Sequence, residues 1–215
     1  MHIKRQLTPK KWPIVKKGTA YIVKPNFNSE NGLTILTILR DILKIAQTRK
    51  EVKKAIFSKN VLLNSKPLKD EKHSAVLFDT LSIIPAKKSY RLTMSEGGKF
   101  KLDEIGERES SKKISKIVDK RIISGKKIQI NLLDGRNFLS DLDCKVNDSV
   151  VINLKDKKIE KCIPLKENAR VLVYDGKHTG KEGTVENIDK NHKIAELKIP
   201  DGKINVLIKQ IIVTE

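Results

Sequence analysis

The strongest candidates for chemistry lie around the start of one predicted helix. Thr48 followed three residues later by Glu51 is a capping box, in which each side chain accepts a hydrogen bond from the backbone of the other. Arg49 and Lys50 fall in the first helical turn, where the helix dipole disfavours positive charge by roughly 0.3 to 1 kcal/mol each. A phosphate bound by the terminal amides would offset this cost. The pattern therefore predicts a phosphate site at Thr48, Arg49 and Lys50; the alternative is that both cations are solvated surface charges.

Four more cations flank this helix start. Arg40 and Lys44 lie four residues apart ahead of it, and Lys53 and Lys54 follow inside the helix. The guanidinium of Arg40 can bind a phosphate through two parallel hydrogen bonds, whereas a lysine acts as a point charge. We predict that these residues extend the phosphate site if their faces align with it.

The N-terminal segment is a second basic region. Its first 29 residues contain no acidic residue and seven basic ones, which are Lys4, Arg5, Lys10, Lys11, Lys16, Lys17 and Lys24. Three prolines disfavour a regular helix, so we predict an arm that orders mainly around phosphates. Trp12 would either stack on a base or anchor the arm by packing, and packing is favoured for an isolated aromatic residue. Apart from Lys24, these cations and Trp12 are predicted RNA contacts.

A glycine-rich loop near the C-terminus is a third candidate. Gly176, Gly180 and Gly183 follow one another at spacings of four and three, which lets one backbone approach another closely. A phosphate-cradling nucleotide loop needs four residues between its glycines and Ser or Thr after its lysine, and this loop has three and then Glu182. We therefore reject nucleotide hydrolysis and predict an RNA or protein contact. The candidate residues are Lys177, His178 and Lys181, with Arg136 in the centre of the chain; His178 fits an ordinary surface histidine equally well.

Composition indicates the class of partner. Lys and Arg number 45 against 26 Asp and Glu, which gives a formal charge of +19 and a pI near 9.8. Such self-repulsion destabilises a folded chain unless an anion neutralises it, and nucleic acid is the commonest such partner. Charge used only for solubility and a membrane surface are the alternatives. No apolar run approaches the roughly 20 residues that span a bilayer, and the basic start lacks a secretory signal, so we expect a soluble, intracellular protein.

The sequence gives little support for catalysis. Cys144 and Cys162 do not form a zinc-binding or disulfide pattern and are predicted to be small core residues. The four histidines are scattered without metal-ligand spacing, and there is no Gly-x-Ser-x-Gly motif. We therefore predict no catalytic residue, no metal, no cofactor and no small-molecule substrate.

The elements that must position these residues are a helix pair followed by strands. Apolar residues recur at helical spacing over residues 33–46, and the helix capped by Thr48 follows at once, with Val52 and Ile56 on its buried side. From residue 88 onward, period-two alternation predicts mainly β structure. Asp-Gly pairs predict hairpin turns, and they are Asp134-Gly135, Asp175-Gly176 and Asp201-Gly202. A polar stretch near Lys166 suggests two small barrels in series.

Several segments, taken in order, carry a family likeness. They are residues 2–5, 9–12, 39–44, 48–54, 61–64, 78–83, 134–137, 145–150, the glycine-rich loop and 208–213. Together they resemble small-subunit ribosomal protein four of the archaeal and eukaryotic type. Residues 39–83 are similar to its alpha-L RNA-binding module, and the glycine-rich loop is similar to its KOW motif. Two places depart from the family: Asn147 stands where a glycine is usual, and Asn168-Ala169 replace the glycine expected at the start of the KOW strand.

The resemblance implies a cytoplasmic, structural RNA-binding protein of the small ribosomal subunit. Its partners would be small-subunit rRNA and neighbouring ribosomal proteins, and we expect no self-association. With the residue patterns, it predicts an α+β, mainly β fold in four parts: a basic arm (1–32), an alpha-L helix-pair module (33–87), a central β domain (88–165) and an SH3-like KOW β-barrel (166–215). Two alternatives are a ribosome-associated or transcription-elongation factor with a KOW domain, and an RNA-modifying enzyme of the pseudouridine synthase type.

Overall fold

The computed structural model describes residues 2–123, 127–140, 142–189 and 192–214. The chain divides into two compact units, one made of Met1–Thr93 with Lys99–Ser111 and the other of Met94–Gly98 with Lys112–Glu215. Strands predominate and helices are short, which confirms the α+β, mainly β class. None of the helices in these ranges has the length and apolar character of a membrane span. The division into four parts stays a prediction.

Short strands and a helix pair make up the first unit. Its strands are β1 (His2–Lys4), β2 (Tyr21–Val23), β3 (Gly32–Thr34), β4 (Val61–Leu63), β5 (Lys66–Pro67), β6 (Ser74–Val76), β7 (Thr80–Ile83), β8 (Lys88–Met94) and β9 (Phe100–Ile105). Its helical segments are a 3₁₀ turn (Arg5–Leu7), α1 (Ile35–Thr37), a π-helical turn (Ile38–Ile42), α2 (Arg49–Phe57) and α3 (Glu107–Ser110). β1 pairs with β2, β3 pairs with β6, and the remaining strands form a sheet in the order β5-β4-β7-β8-β9.

The N-terminal basic segment is folded. β1 and β2 pair antiparallel with His2 opposite Val23, and Trp12 in the intervening segment is 3% exposed. The amide of Phe100 donates a hydrogen bond to the carbonyl of Lys11 at 2.8 Å. The expectation of an arm that orders mainly around phosphates is therefore wrong, because burial of Trp12 and Ile22 holds the segment within its unit. Of the two interpretations of Trp12, the packing anchor is confirmed.

The predicted helix pair is confirmed at its second helix and corrected at its first. α2 begins at Arg49, directly after Thr48, and buries Val52 and Ile56. Residues 33–46 instead form part of β3, then α1 and the π-helical turn, and residues 35–39 are all buried. A segment buried on every side has no single apolar face, so its spacing did not reveal where the helix begins and ends. Lys44 has a φ of +53° beyond the turn and does not share a helical face with Arg40.

Two five-stranded sheets make up the second unit. Their strands are β10 (Lys112–Ile122), β11 (Ile128–Leu132), β12 (Asn137–Leu139), β13 (Ser149–Asn153), β14 (Lys158–Ile163), β15 (Arg170–Val173), β16 (Glu182–Asp189), β17 (Ile194–Ile199), β18 (Gly202–Leu207) and β19 (Ile211–Val213). The first sheet has the order β12-β11-β10-β13-β14, and the second has the order β18-β17-β16-β15-β19. A 3₁₀ turn (Ile208–Gln210) precedes β19.

The Asp-Gly pairs lie where strands connect. Gly135 (φ +83°) lies between β11 and β12, and Gly202 (φ +130°) is the first residue of β18, directly after the turn from β17. Gly176 (φ +91°) belongs to a longer loop that joins β15 to its antiparallel partner β16. All three predicted turns are thereby confirmed, although the connection that contains Gly176 is longer than a tight hairpin.

The core of the first sheet contains the cysteines as free thiols. Cys144 is fully buried there, and Cys162 is half-buried and packs against the same cluster. Burial raises the pKa of the Cys162 thiol to about 12, so this thiol stays protonated and unreactive at neutral pH. The interpretation of both residues as small core side chains is confirmed.

A buried lysine joins the two sheets of the second unit. The Nζ of Lys116 on β10 donates to the carbonyl oxygens of Ile208 at 2.6 Å and Ile211 at 3.0 Å. Burial lowers the pKa of Lys116 to about 8. The amide of Val213 adds a hydrogen bond of 3.0 Å to the Ser149 hydroxyl. The two sheets therefore share polar contacts that are shielded from water.

The two asparagines that stand where the resemblance leads us to expect glycine have a glycine-like backbone. Asn147 has a φ of +76° and Asn168 a φ of +64°. Asparagine adopts this left-handed region more readily than other residues with a Cβ atom. The two substitutions therefore leave the turns that precede β13 and β15 in the conformation that glycine would allow.

Candidate nucleic-acid interface

The start of α2 has the predicted capping box. The Thr48 hydroxyl accepts a hydrogen bond from the Glu51 amide at 3.3 Å, and the Glu51 carboxylate accepts from the amides of Gln47 at 2.8 Å and Thr48 at 3.4 Å. The bond from the Gln47 backbone is the main reason that the pKa of Glu51 lies below its ordinary value. Thr48 therefore serves to cap the helix, and its side chain is already engaged within the protein.

The anion beside Arg49 comes from the protein itself. Glu71 is 5% exposed, and its Oε1 accepts a hydrogen bond from the Arg49 Nε at 3.0 Å. The Nζ of Lys53 lies 3.9 Å from the same oxygen. The backbone of Glu71 is fixed as well, since its carbonyl accepts from the amide of Leu36 at 3.0 Å. Glu71 thus offsets the cost of placing Arg49 near the positive end of the helix dipole, which a phosphate was predicted to offset. Lys50 and Lys54 are exposed to solvent.

Replacing Arg49 by Ala is expected to lower the free energy of unfolding by about 1 to 3 kcal/mol, because it leaves the buried Glu71 carboxylate without its closest cation. Replacing the neighbouring Lys50 by Ala is the control and is expected to change stability by less than about 0.5 kcal/mol. Urea unfolding of both variants measures the difference. Equal stability of the two variants would show that the Arg49–Glu71 pair contributes nothing to the fold.

Cations of the N-terminal segment converge on one cleft. Lys4, Arg5, Lys16 and Lys17 line a depression of about 470 Å³ that Tyr21 also borders. The three lysines are exposed. The cleft therefore collects positive charge from both ends of the segment that β1 and β2 enclose.

Arg5 is half-buried and shapes this cleft from within. Its guanidinium donates to the carbonyl oxygens of Val15 and Thr19, both at 2.6 Å, and to the Thr19 hydroxyl at 2.9 Å. Gly18 lies against it with a φ of +135°, and a Cβ atom at Gly18 would be 3.0 Å from the Arg5 Nη2. Arg5 therefore holds the loop that presents Lys16 and Lys17, and much of its own hydrogen-bonding capacity is already used.

A second cleft joins Arg5 to the helix pair. Its volume is about 700 Å³, and Arg40, Lys44 and Gln47 line it together with apolar side chains of residues 13–15. Arg40 makes a two-point hydrogen bond to Asp41, at 2.8 and 2.9 Å, which is the main reason that its pKa lies above the ordinary value. The structure thus brings the N-terminal segment and Arg40 and Lys44 together, although Arg40 is already partly neutralised.

The other predicted contacts are distributed more widely. Lys10 is exposed, whereas the Lys11 Nζ donates to the Asn31 side chain at 2.7 Å, and the buried ring of Trp12 is not available for stacking on a base. In the second unit, the Arg136 Nε lies 3.5 Å from Asp134. In the glycine-rich loop Lys177 is exposed, His178 is half-buried, and the Lys181 Nζ lies 3.1 Å from Asp201.

Known proteins are similar to this sequence over most of its length. Residues 86–159 match the model of the ribosomal family S4e. The small ribosomal subunit protein eS4 of Methanocella arvoryzae is 36% identical over 190 residues, which cover 87% of this chain and 80% of that protein. The chain belongs to the S4e family of ribosomal proteins. The eS4 protein of Methanothermobacter thermautotrophicus is similarly close, at 37% identity over 191 residues and 87% and 79% coverage.

A solved S4e structure has the same fold. The crystal structure of the 30S ribosomal protein S4e from Thermoplasma acidophilum aligns with a TM-score of 0.72 and 24% identity, covering 85% of this chain and 94% of that one. The resemblance found in the sequence is therefore confirmed, both by relatives and by fold.

In this S4e family member, the glycine-rich loop is built on close backbone contacts. A Cβ atom at Gly180 would lie 2.0 Å from the carbonyl oxygen of Ser95, and one at Gly183 would lie 2.5 Å from that of Lys198. At Gly176 it would meet the side chain of Gln210 at 2.8 Å. The predicted reason for these glycines, close approach of backbone, is confirmed at Gly180 and Gly183.

Sequence reasoning missed four residues of the candidate interface. Glu71 and Asp41 neutralise predicted phosphate ligands, and Gly18 shapes the first cleft. Phe57, at the end of α2, is 76% exposed. Asp41 and Phe57 could have been found from their spacing to Arg40 and Lys54, but Glu71 is 22 positions from Arg49 and only the fold brings the two together. Among the described ranges, no group of His, Cys, Asp and Glu side chains is arranged to hold a metal ion.

Proposed function

We propose that this protein is a structural constituent of the small ribosomal subunit in the cytoplasm, where it holds rRNA through phosphate contacts of its first unit. Its relatives are named small ribosomal subunit proteins. The observation that carries the RNA-binding part is the convergence of Lys4, Lys16 and Lys17 on one cleft, which shares Arg5 with the cleft of Arg40 and Lys44. The protein supports translation and subunit assembly as a scaffold rather than as an enzyme.

Phosphate contacts explain how such a protein grips a folded RNA. Exposed lysines neutralise phosphates and release counterions, so they give affinity and fix the register without reading the sequence. We assign this role to Lys4, Lys10, Lys16, Lys17, Lys44, Lys50 and Lys54, with Lys53 and Arg40 sharing their charge with carboxylates. Arg136, Lys177, His178 and Lys181 are proposed as contacts of the second unit, to RNA or to neighbouring ribosomal proteins. No self-association is expected.

Replacing Lys4, Lys16 and Lys17 together by Ala is expected to weaken binding to small-subunit rRNA and to lower the salt slope by up to about one unit per lost phosphate contact. The control is the triple replacement of Lys155, Lys157 and Lys158 by Ala, which removes the same charge from exposed residues of the β13–β14 connection and the first position of β14. Equilibrium titrations at several salt concentrations give both slopes. If the two triple variants behave alike, only net charge matters and the cleft is not the binding site.

Co-sedimentation tests the assignment to the subunit. A structural constituent is expected to stay with small subunits at one copy each through a high-salt gradient. Release into the free fraction would instead support a ribosome-associated or elongation factor. Neither this alternative nor a pseudouridine synthase is proposed here, because the relatives are named as ribosomal proteins.

A further inference from the structure

The outward face of α2 combines lysines with an unusually exposed aromatic ring. Lys50, Lys54 and Phe57 follow one another at intervals of four and three, so they lie in one row along the helix. Val52 and Ile56 are 0% and 2% exposed on the opposite side. Phe57 is 76% exposed at the end of the row. Most of the Phe57 side chain therefore lies outside the packing that holds α2 in place.

Phe57 differs from the other exposed aromatic residues of the first unit. Tyr21 packs edge-on against His2 with 4.7 Å between ring centroids, and Phe27 packs in the same way against His73 at 4.9 Å. Phe57 has no ring partner among the residues that the structure describes, and it is more exposed than Tyr21 (56%) or Phe27 (43%). Its flat apolar face is therefore available to a ligand.

The charges beside the ring point to nucleic acid. α2 carries Arg49, Lys50, Lys53 and Lys54 against the single acid Glu51, whose carboxylate is engaged in the capping box. The cores of protein–protein interfaces are depleted in lysine, whereas surfaces that bind single-stranded nucleic acid combine cations for the backbone with aromatic rings for the bases. Three residues along a helix correspond to about 4.5 Å, so the Lys54 side chain starts one turn from the ring.

We propose that the Phe57 ring stacks on an unpaired base of an RNA strand whose phosphates lie along Lys50 and Lys54. This inference rests on the proposed function and adds the kind of RNA feature that α2 binds. In a duplex the faces of the bases are covered by their neighbours, so only a loop, bulge or end offers a free face. Phe57 supplies stacking, which salt affects little, and the lysines supply the salt-dependent part of the affinity.

Affinities for two RNA probes of equal length test the proposal. One probe is a stem-loop with 2-aminopurine in its unpaired loop, and the other is a fully paired duplex. Phe57→Ala and Phe57→Leu are expected to bind the stem-loop about 5- to 100-fold more weakly at every salt concentration and to bind the duplex unchanged. Phe57→Tyr, which keeps the ring, is expected to retain wild-type affinity and the quenching of 2-aminopurine fluorescence.

Phe57→Leu separates stacking from simple apolar contact, because it keeps the apolar character and removes the flat ring. Wild-type affinity of Phe57→Leu or Phe57→Ala for the stem-loop overturns the proposal, and so does an equal loss on the duplex. In either case, the proposed function still holds if the RNA affinity of the wild-type protein falls steeply as the salt concentration rises. If the wild-type protein binds neither probe in a salt-dependent manner, the proposed function fails and the inference fails with it.

Discussion

Replacing Gly180 by Ala is expected to lower the free energy of unfolding by about 2 to 5 kcal/mol, through two costs that add. The first is steric, because the new Cβ atom would lie 2.0 Å from the backbone carbonyl oxygen of Ser95. The second is conformational, because the φ of +91° disfavours any residue with a Cβ atom. Backbone cannot move aside as the end of a flexible side chain can, so the loop or the segment around Ser95 must shift.

Two glycines of the same unit separate these costs. Gly202→Ala meets open space at a φ of +130°, so it incurs only the conformational cost of about 1 to 2 kcal/mol. Gly97→Ala has neither cost, since the Ser95 hydroxyl would lie 4.0 Å from the new Cβ atom and Gly97 does not have a positive φ. Urea unfolding is expected to rank the variants with Gly180→Ala least stable, then Gly202→Ala, then Gly97→Ala. Equal stability of the first two would mean that the contact with Ser95 relaxes without cost.

Local signals predicted local structure well. The capping box joins Thr48 and Glu51, and each Asp-Gly turn likewise involves residues within a few positions of each other. These motifs therefore depend mainly on local interactions. The helical character of the first helix was predicted, but its bounds were not, for the opposite reason. Residues 35–39 are buried on every side by the fold, and such a segment carries no amphipathic period that would mark its ends.

The candidate interface was predictable in residue type but not in the state of each charge. The sequence identified the cations that the structure places around two clefts sharing Arg5, namely Lys4, Lys16 and Lys17 in one and Arg40 and Lys44 in the other. The sequence could not reveal that Arg49 is paired with Glu71, because the two are 22 positions apart and meet only after the chain has folded. Burial of Trp12 was likewise a consequence of tertiary packing, although an isolated tryptophan favoured it.

The excess of positive charge therefore has two roles. Lys113 and Lys116 are 1% and 2% exposed in the second unit, and Arg49 holds a buried carboxylate in the first. These cations stabilise the protein; Lys113 and Lys116 are shielded from solvent, and Arg49 shares its charge with Glu71. Exposed lysines such as Lys16 and Lys50 have the opposite character, since their removal is expected to affect binding and not folding. A count of cations in the sequence thus overestimates the number of phosphate contacts.

Replacing Asp134 by Asn is expected to lower the free energy of unfolding by about 3 to 5 kcal/mol, because it removes the carboxylate that faces a buried lysine. The Lys113 Nζ lies 2.6 Å from the Asp134 Oδ2, and the two side chains are 1% and 4% exposed. Asparagine keeps the size of the side chain and can still accept the hydrogen bond that the Arg136 amide gives to Asp134 at 3.1 Å, so the turn is preserved. The loss of stability therefore measures the effect of removing the negative charge of Asp134.

A double variant distinguishes this interpretation from general damage to the turn. Adding Lys113→Met to Asp134→Asn removes the buried cation that faced this carboxylate, and buried ion pairs replaced on both sides are often close to neutral, so the double variant is expected to be more stable than Asp134→Asn alone. The adjacent Lys112 is the control, since its pair with Glu160 is solvent-exposed at 2.8 Å and Lys112→Met is expected to change stability by less than about 1 kcal/mol. If the two single losses at Lys113 and Asp134 simply add in the double variant, the two charges do not depend on each other, and the structural role assigned to Lys113 is wrong.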